Sequence, residues 1–165
     1  MSQLLGEFEC RLDPKGRMMI PSALKKQISS KAEDKLVINR GFEKCLVLFP
    51  LDEWQNESAK VNALNLYNQK NREFVRYFYR GATELSMDNT NRILIPKTLL
   101  DYAKIDKDLI LNAFFNRIEI WSKEAYEAQL AQEPIDFSIL AEEVMGEIIR
   151  PHLDQSAKER SGHVS

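Results

Sequence analysis

Two cysteines in 165 residues are too few for a disulfide framework, and Cys10 and Cys45 lack the close spacing of a zinc site. Both sit in apolar, strand-like runs and read as small buried hydrophobes of a reducing compartment. Histidine is as scarce. His152 and His163 are the only two and both lie in the C-terminal tail, so a metal site or catalytic dyad would need that tail to fold back. No apolar run approaches the ~18 to 20 residues of a membrane span. The start, Met1-Ser2-Gln3-Leu4-Leu5-Gly6-Glu7, lacks the basic residues and apolar stretch of a secretory signal. A cytoplasmic protein without a membrane partner is expected. Glycine-rich phosphate loops, a Ser/His/Asp set and paired carboxylates in a catalytic setting are also missing, so no enzyme, cofactor or small-molecule substrate is expected.

What is present is the composition of a folded domain, with 44% hydrophobic and 29% charged residues. The net charge of −2 hides an uneven distribution. Glu127 to Ser165 carries eight acidic and three basic residues, a balance of −5, which leaves +3 on everything before it. Between Glu9 and Lys26, Arg11, Lys15, Arg17, Lys25 and Lys26 outnumber Glu9 and Asp13. Local sign matters more than the total when the partner is a polyanion.

The most informative feature is an internal repeat. Asp13-Pro14-Lys15-Gly16-Arg17-Met18-Met19-Ile20-Pro21 recurs as Asp88-Asn89-Thr90-Asn91-Arg92-Ile93-Leu94-Ile95-Pro96, at an offset of 75. Upstream, Gly6, Glu9 and Leu12 match Gly81, Glu84 and Met87. Downstream, Leu36-Val37-Ile38 matches Leu109-Ile110-Leu111, Leu46-Val47-Leu48-Phe49 matches Ile118-Glu119-Ile120-Trp121, and Trp54 matches Tyr126. A unit of about 45 residues is too small for a large core of its own, so the two copies are expected to pack together.

Each copy reads as strand, turn, strand, short helix and two further strands. In the first these fall at about 7–12, 17–20, 22–28, 35–39 and 45–49; in the second the helix is near 97–103 and the last strands at 108–113 and 117–121. Pro21 and Pro96 suit helix starts, and Asp52 or Ser122 could cap the helix that ends each copy. The expected boundaries are a first unit at 7–54, a helical linker at 55–80, a second unit at 81–126 and a C-terminal helix with an acidic tail at 127–165. In the linker, Phe74, Tyr77 and Phe78 share one helical face, which is expected to seal one unit against the other. Lys70, Arg72, Arg76 and Arg80 leave open a second DNA-facing surface. Beyond Pro134, Phe137, Leu140, Ala141, Val144, Met145 and Ile148 form an apolar helical stripe, capped by Asp136 or Ser138 and stopped by Pro151. It suits docking on the body, on a neighbouring subunit or on a partner protein.

The repeated turn has its own chemistry. Asp13, Pro14 and Gly16 suit a type I turn closed by a left-handed residue, a three-residue hairpin loop. Asn91 replaces the glycine in the second copy and tolerates the same backbone. Asp13 and Asp88 thus shape the turns together with Gly16 and Asn91, and each carboxylate faces an arginine, Arg17 or Arg92. Arginine's planar fork can pair with guanine edges or phosphates, while Lys15 serves as a less directional charge and Arg11 adds a further cation beside Arg17. The competing reading makes both pairs structural ion pairs only, and it is stronger for Arg92, whose surroundings are neutral.

An Asp-x-x-Gly-Arg turn followed by Ile-Pro and a helix, twice in one chain, resembles the SpoVT-AbrB swapped-hairpin domain. The tandem form, with Gly41-Phe42-Glu43-Lys44-Cys45-Leu46 and Asn116-Arg117-Ile118-Glu119-Ile120-Trp121, resembles the MraZ family over about 5–130. The resemblance implies an α+β, mainly β fold in which two AbrB-like units interlock as an intramolecular pseudo-dimer, with linking and C-terminal helices. It implies a ring-like homo-oligomer and a transcriptional regulator, commonly a repressor, of a division and cell wall gene cluster that includes its own gene. Double-stranded DNA with repeated promoter motifs would be the partner, in the nucleoid, contacted by Arg17 and Arg92. Asn91 departs from the family's glycine, and the segment from Pro134 onward lies outside the common pattern. An antitoxin of the same swapped-hairpin class, binding a protein toxin, is the alternative.

Overall fold

The repeat dictates the topology. Four strands come from the first copy, β1 (Leu4–Arg11), β2 (Arg17–Met19), β3 (Lys35–Arg40) and β4 (Leu46–Pro50), and four from the second, β5 (Thr83–Ser86), β6 (Arg92–Leu94), β7 (Asp108–Phe115) and β8 (Arg117–Ser122). The structure, a computed structural model, describes residues 3–28, 30–132 and 136–146. The chain divides into a body ending at Glu127 and a C-terminal unit beginning at Ala128.

Six strands of the body form one antiparallel sheet in the order β1-β7-β8-β4-β3-β5. Each copy has handed its opening strand to the other: β1 pairs with β7, with Glu7 opposite Asn112, and β5 pairs with β3, with Leu85 opposite Leu36. The remaining two strands, β2 and β6, pair as a small antiparallel ribbon. Both seams are centred on equivalent residues. Val47 faces Glu119 between β4 and β8, and Met18 faces Ile93 in the ribbon. The two copies are therefore related by a pseudo-twofold axis through these pairs, which is the interlocked arrangement that the family resemblance implies.

The interlock answers the size problem. Met18, Ile20, Leu24, Leu36, Ile38 and Leu48 of the first copy and Ile93, Ile95, Leu99, Leu109, Leu111 and Ile120 of the second lie in one continuous core, each at most 2% exposed. One shared core buries a larger fraction of apolar surface than two separate ones could. Strands β3 and β4 at the centre are buried along nearly their whole length, whereas β1 and β5 at the edges alternate. Cys45 is fully buried and Cys10 half-buried.

Helices α1 (Ser22–Gln27), α2 (Leu51–Asn62), α3 (Gln69–Tyr79), α4 (Lys97–Tyr102) and α5 (Lys123–Ala131) fill the connections. Pro21 and Pro96 occupy the N-cap positions of α1 and α4. Asp52 does not cap α2. Pro50, with φ of −55°, closes β4 and launches the helix directly, so Asp52 falls in the first turn with Oδ1 buried and without a hydrogen-bond partner among the described residues. Ser122 does act at the start of α5, its Oγ accepting the Ala125 N–H at 3.0 Å.

The aromatic face of α3 also differs from expectation. Helix α3 has no buried residue, and Phe74 and Tyr77 are 44% and 66% exposed. Of that face only Phe78 makes a close ring contact with another element, stacking on Trp54 of α2 at 5.4 Å and 7°, and the neighbouring Tyr79 meets the same indole edge-on at 6.0 Å. The exchanged strands already join the copies, so α3 is left outside as a lid on α2 rather than a seal between units. Asn39 of β3 ties it down, Nδ2 donating to the Phe78 carbonyl at 2.6 Å.

The C-terminal unit contains a helix at 137–146. Asp136 caps it, Oδ1 accepting the Ser138 N–H at 2.9 Å and the Ser138 hydroxyl at 2.6 Å. Phe137, Leu140, Val144 and Met145 are exposed. Ile148, Pro151, the tail and both histidines lie outside the described residues.

Candidate nucleic-acid interface

Each hairpin tip is built by one aspartate. In the first, Asp13 Oδ1 accepts the N–H groups of Lys15 and Arg17, both at 2.9 Å, while the Gly16 N–H donates to the Asp13 carbonyl at 3.0 Å. In the second, Asp88 Oδ1 accepts the N–H groups of Thr90 and Arg92 at 2.8 and 3.0 Å and the Thr90 hydroxyl at 2.8 Å. Gly16 and Asn91 both close the turn in the left-handed region, at φ of +83° and +61°. Space does not demand the glycine, since an added Cβ would meet Leu100 at an ordinary 3.6 Å; the backbone conformation does.

The tips are also locked to each other. The Gly16 carbonyl accepts the Ile95 N–H at 3.1 Å, and the Asn91 carbonyl accepts the Ile20 N–H at 2.8 Å. These bonds extend the β2–β6 ribbon at both ends. Met18 and Ile93 point into the core, so the alternate residues Arg17, Met19, Arg92 and Leu94 form the outer face. Arg17 stands opposite Leu94 and Arg92 opposite Met19, which places the two arginines diagonally on one surface. Met19 and Leu94 are 57% and 56% exposed. Sequence reasoning named the arginines and missed these two. The signal lay in the alternation of Arg17-Met18-Met19 and Arg92-Ile93-Leu94, once the middle residue is assigned to the core.

The arginines are aimed rather than free. Arg17 Nε sits 3.0 Å from Asp13 Oδ2, and Arg92 Nε 3.2 Å from Asp88 Oδ2. Arg92 Nη1 also reaches within 3.8 Å of Asp13, a contact that crosses between copies. Anchoring through Nε leaves the terminal nitrogens of Arg17 available, whereas one of those of Arg92 is drawn toward Asp13. Among the described residues nothing bonds the terminal nitrogens of Arg17. Lys15 is exposed at its tip with no ion pair among the described residues. Arg11 stands apart on the six-stranded sheet, its Nε held by Asp108 at 3.0 Å.

Hydrogen bonds from the Arg92 N–H and the Thr90 hydroxyl hold the Asp88 carboxyl at about 2, and the Arg17 N–H lowers Asp13 in the same way. A depressed carboxylate stabilises the native state fully above its ordinary value of 3.8, and that contribution is lost as pH falls from 3.8 to about 2. Asp88→Asn should therefore flatten the fall in melting temperature between pH 4 and pH 2, roughly the window of that titration. An unchanged pH profile in the variant would show that the hairpin carboxylate is not responsible.

One set of side chains among the described residues could hold a metal ion: Glu43, Cys45 and Glu119, whose donor atoms lie within 4.8 Å of one another. Burial first, then the charges of Glu119 and Glu43, push the Cys45 thiol up to about 12. It is therefore protonated at neutral pH, as suits a packing residue.

A family model described as "MraZ protein, putative antitoxin-like" matches the chain twice, over residues 3–77 and 78–146. The chain belongs to the MraZ family. The protein named transcriptional regulator MraZ in Christiangramia forsetii is 44% identical over 147 residues, spanning 88% of this chain and 95% of that relative. Its counterpart in Flavobacterium psychrophilum is 42% identical, spanning 90% and 95%. That of Clostridium beijerinckii is 39% identical, spanning 85% and 95%. This MraZ family member is thus a transcriptional regulator and not an enzyme. Among the described residues no helix is long and apolar enough to cross a membrane.

Proposed function

We propose that the chain regulates transcription by laying the β2–β6 ribbon and its two flanking hairpin tips against double-stranded DNA. The observation that supports this reading is the pair of arginines on one ribbon face, each anchored at Nε and about a third exposed. A two-stranded ribbon is narrow enough for a major groove about 12 Å wide. Arg17 and Arg92 would take guanine edges or phosphates, and Met19 and Leu94 would lie against thymine methyls. Lys15, and Arg11 more remotely, would supply phosphate contacts that set register without reading sequence.

One ribbon is a small footprint, so repetition would provide the affinity. A ring-like homo-oligomer would carry one ribbon per subunit and turn later contacts into intramolecular ones on a promoter with repeated motifs. Following the family resemblance, the target would be the division and cell wall gene cluster including the chain's own promoter, the effect repression, and the location the nucleoid. A mobility shift with the DNA upstream of the chain's own gene, beside a scrambled probe of equal length, tests this. Retardation confined to the upstream probe is expected, and equal retardation of both would remove the claim of sequence specificity.

A second reading has one observation in its favour. The exposed apolar stripe Phe137, Leu140, Val144 and Met145 suits a protein groove, as a toxin-binding relative would require. Co-purification of a toxin-like protein that is lost with Val144→Asp would support it.

A further inference from the structure

A second basic region lies outside the hairpins. Between the β3–β4 turn and α3 is a cavity of about 430 Å³, within the ~300 to 1,000 Å³ of small-ligand sites. Arg40, Lys44, Arg80 and Arg117 line it, and among the described residues no carboxylate does. Arg117 is neutralised by Glu57 at 3.0 Å, but Arg40, Lys44 and Arg80 form no ion pair among the described residues. Arg40 Nε is buried with no hydrogen-bond partner among the described residues, an arrangement that native structures seldom leave unmet. The Arg40 guanidinium and the Lys44 ammonium both lie over the Tyr102 ring, 4.5 and 4.4 Å from its centroid. Tyr102 in turn holds the hairpin turn, its hydroxyl donating to the Gly41 carbonyl at 3.3 Å.

The duplication supplies an internal control. The positions equivalent to Arg40 and Tyr102 in the other copy are Ala113 and Gln27. Ala113 is buried, and Gln27 is spent on the main chain of Leu5, with bonds of 2.8 and 3.1 Å. The fold therefore forms without this basic cluster, so the cluster needs a reason beyond stability. Its neighbours suggest one. Phe42 and Tyr77, 89% and 66% exposed, put large rings at the cavity wall beside the cations.

We infer that the cavity binds a small phosphorylated nucleoside, with the phosphates on Arg40, Lys44 and Arg80 and the base against the rings of Tyr77 and Phe42. Unpaired cations match the phosphates, and exposed ring faces match the planar base. A duplex is too broad to enter a space of this volume, and none of the lining residues belongs to the ribbon or its hairpins. The site is therefore separate from the proposed DNA surface, and its failure would leave that surface untouched.

The test is titration of the full-length protein with ADP, read by calorimetry and by tryptophan fluorescence. Trp54 reports directly because it stacks on Phe78, which lines the cavity. Saturable binding with a Kd below about 1 mM is expected, roughly tenfold tighter than either pyrophosphate or adenosine alone. Lys44→Gln and Arg80→Gln, both exposed, should each weaken it by roughly tenfold, since a charge-assisted phosphate contact is lost. Arg17→Ala should leave it unchanged. No saturation with ADP, equal affinity for pyrophosphate, or normal binding by both glutamine variants would each overturn the assignment. Loss of the native assembly in those variants without ADP binding would instead assign the cavity to a contact between copies of the chain.

Discussion

Arg17→Ala is expected to weaken binding to promoter DNA by at least about 100-fold while leaving the fold and the assembly intact. A good bidentate base contact contributes ~1 to 3 kcal/mol, and an assembly that engages several ribbons at once loses that amount at each of them. The stability cost is small by comparison. The Asp13–Arg17 pair is about a third exposed at both ends, and such pairs contribute ~0 to 1 kcal/mol. Asp13 would still accept the backbone N–H groups of Lys15 and residue 17, so the turn keeps its shape. Arg17→Lys is the sharper variant. A single ammonium cannot hold Asp13 and offer a free fork to a base, so the lysine should recover less than half of the lost binding free energy. Arg92→Ala should cost less than Arg17→Ala, because Thr90 stands where Lys15 supplies charge in the first copy. Mobility shifts on one probe, with circular dichroism and gel filtration of each variant, separate DNA contact from folding. Normal retardation by Arg17→Ala would remove the ribbon from the interface.

How much of this was readable without coordinates depends on sequence distance. The turns were legible because their determinants are local: Asp13, Gly16 and Arg17 fall within five residues, and Asn91 adopts the left-handed backbone of the glycine it replaces. The order of strands was legible because the repeat is. The copy-to-copy contacts were not. The reach of Arg92 to Asp13 exists only because β2 pairs with β6, a register that no local pattern encodes. The apolar members of the ribbon face were hidden for the same reason, since Met19 and Leu94 look like core residues until Met18 and Ile93 occupy the core. The role of α3 was misread because its aromatic stripe matches that of a buried helix. The exchanged strands had already closed the core, and of that stripe only Phe78 reached the ring of Trp54, which Tyr79 meets edge-on from beside it. The basic cavity lay beyond sequence reasoning altogether. Its cations come from positions 40, 44, 80 and 117, scattered over most of the body.

The second large effect expected is on salt. In the proposed mode of binding, each ribbon would bring Arg17 and Arg92, with Lys15 beside them, onto a duplex whose phosphates hold a condensed layer of counterions. An assembly that neutralises ~6 to 10 phosphates should lose ~10³ to 10⁵ in affinity between 50 and 200 mM salt. A single subunit, with two or three cations at its ribbon, should lose far less, so the slope of log affinity against log salt counts the ribbons engaged. The same titration separates the roles of the basic residues. Lys15→Gln should reduce the slope and weaken specific and scrambled DNA alike, because a phosphate contact carries no sequence information. Arg17→Ala should instead narrow the gap between specific and scrambled DNA. A binding curve that barely moves with salt would mean that the duplex is not held by these guanidinium and ammonium groups, wherever on the molecule it lies.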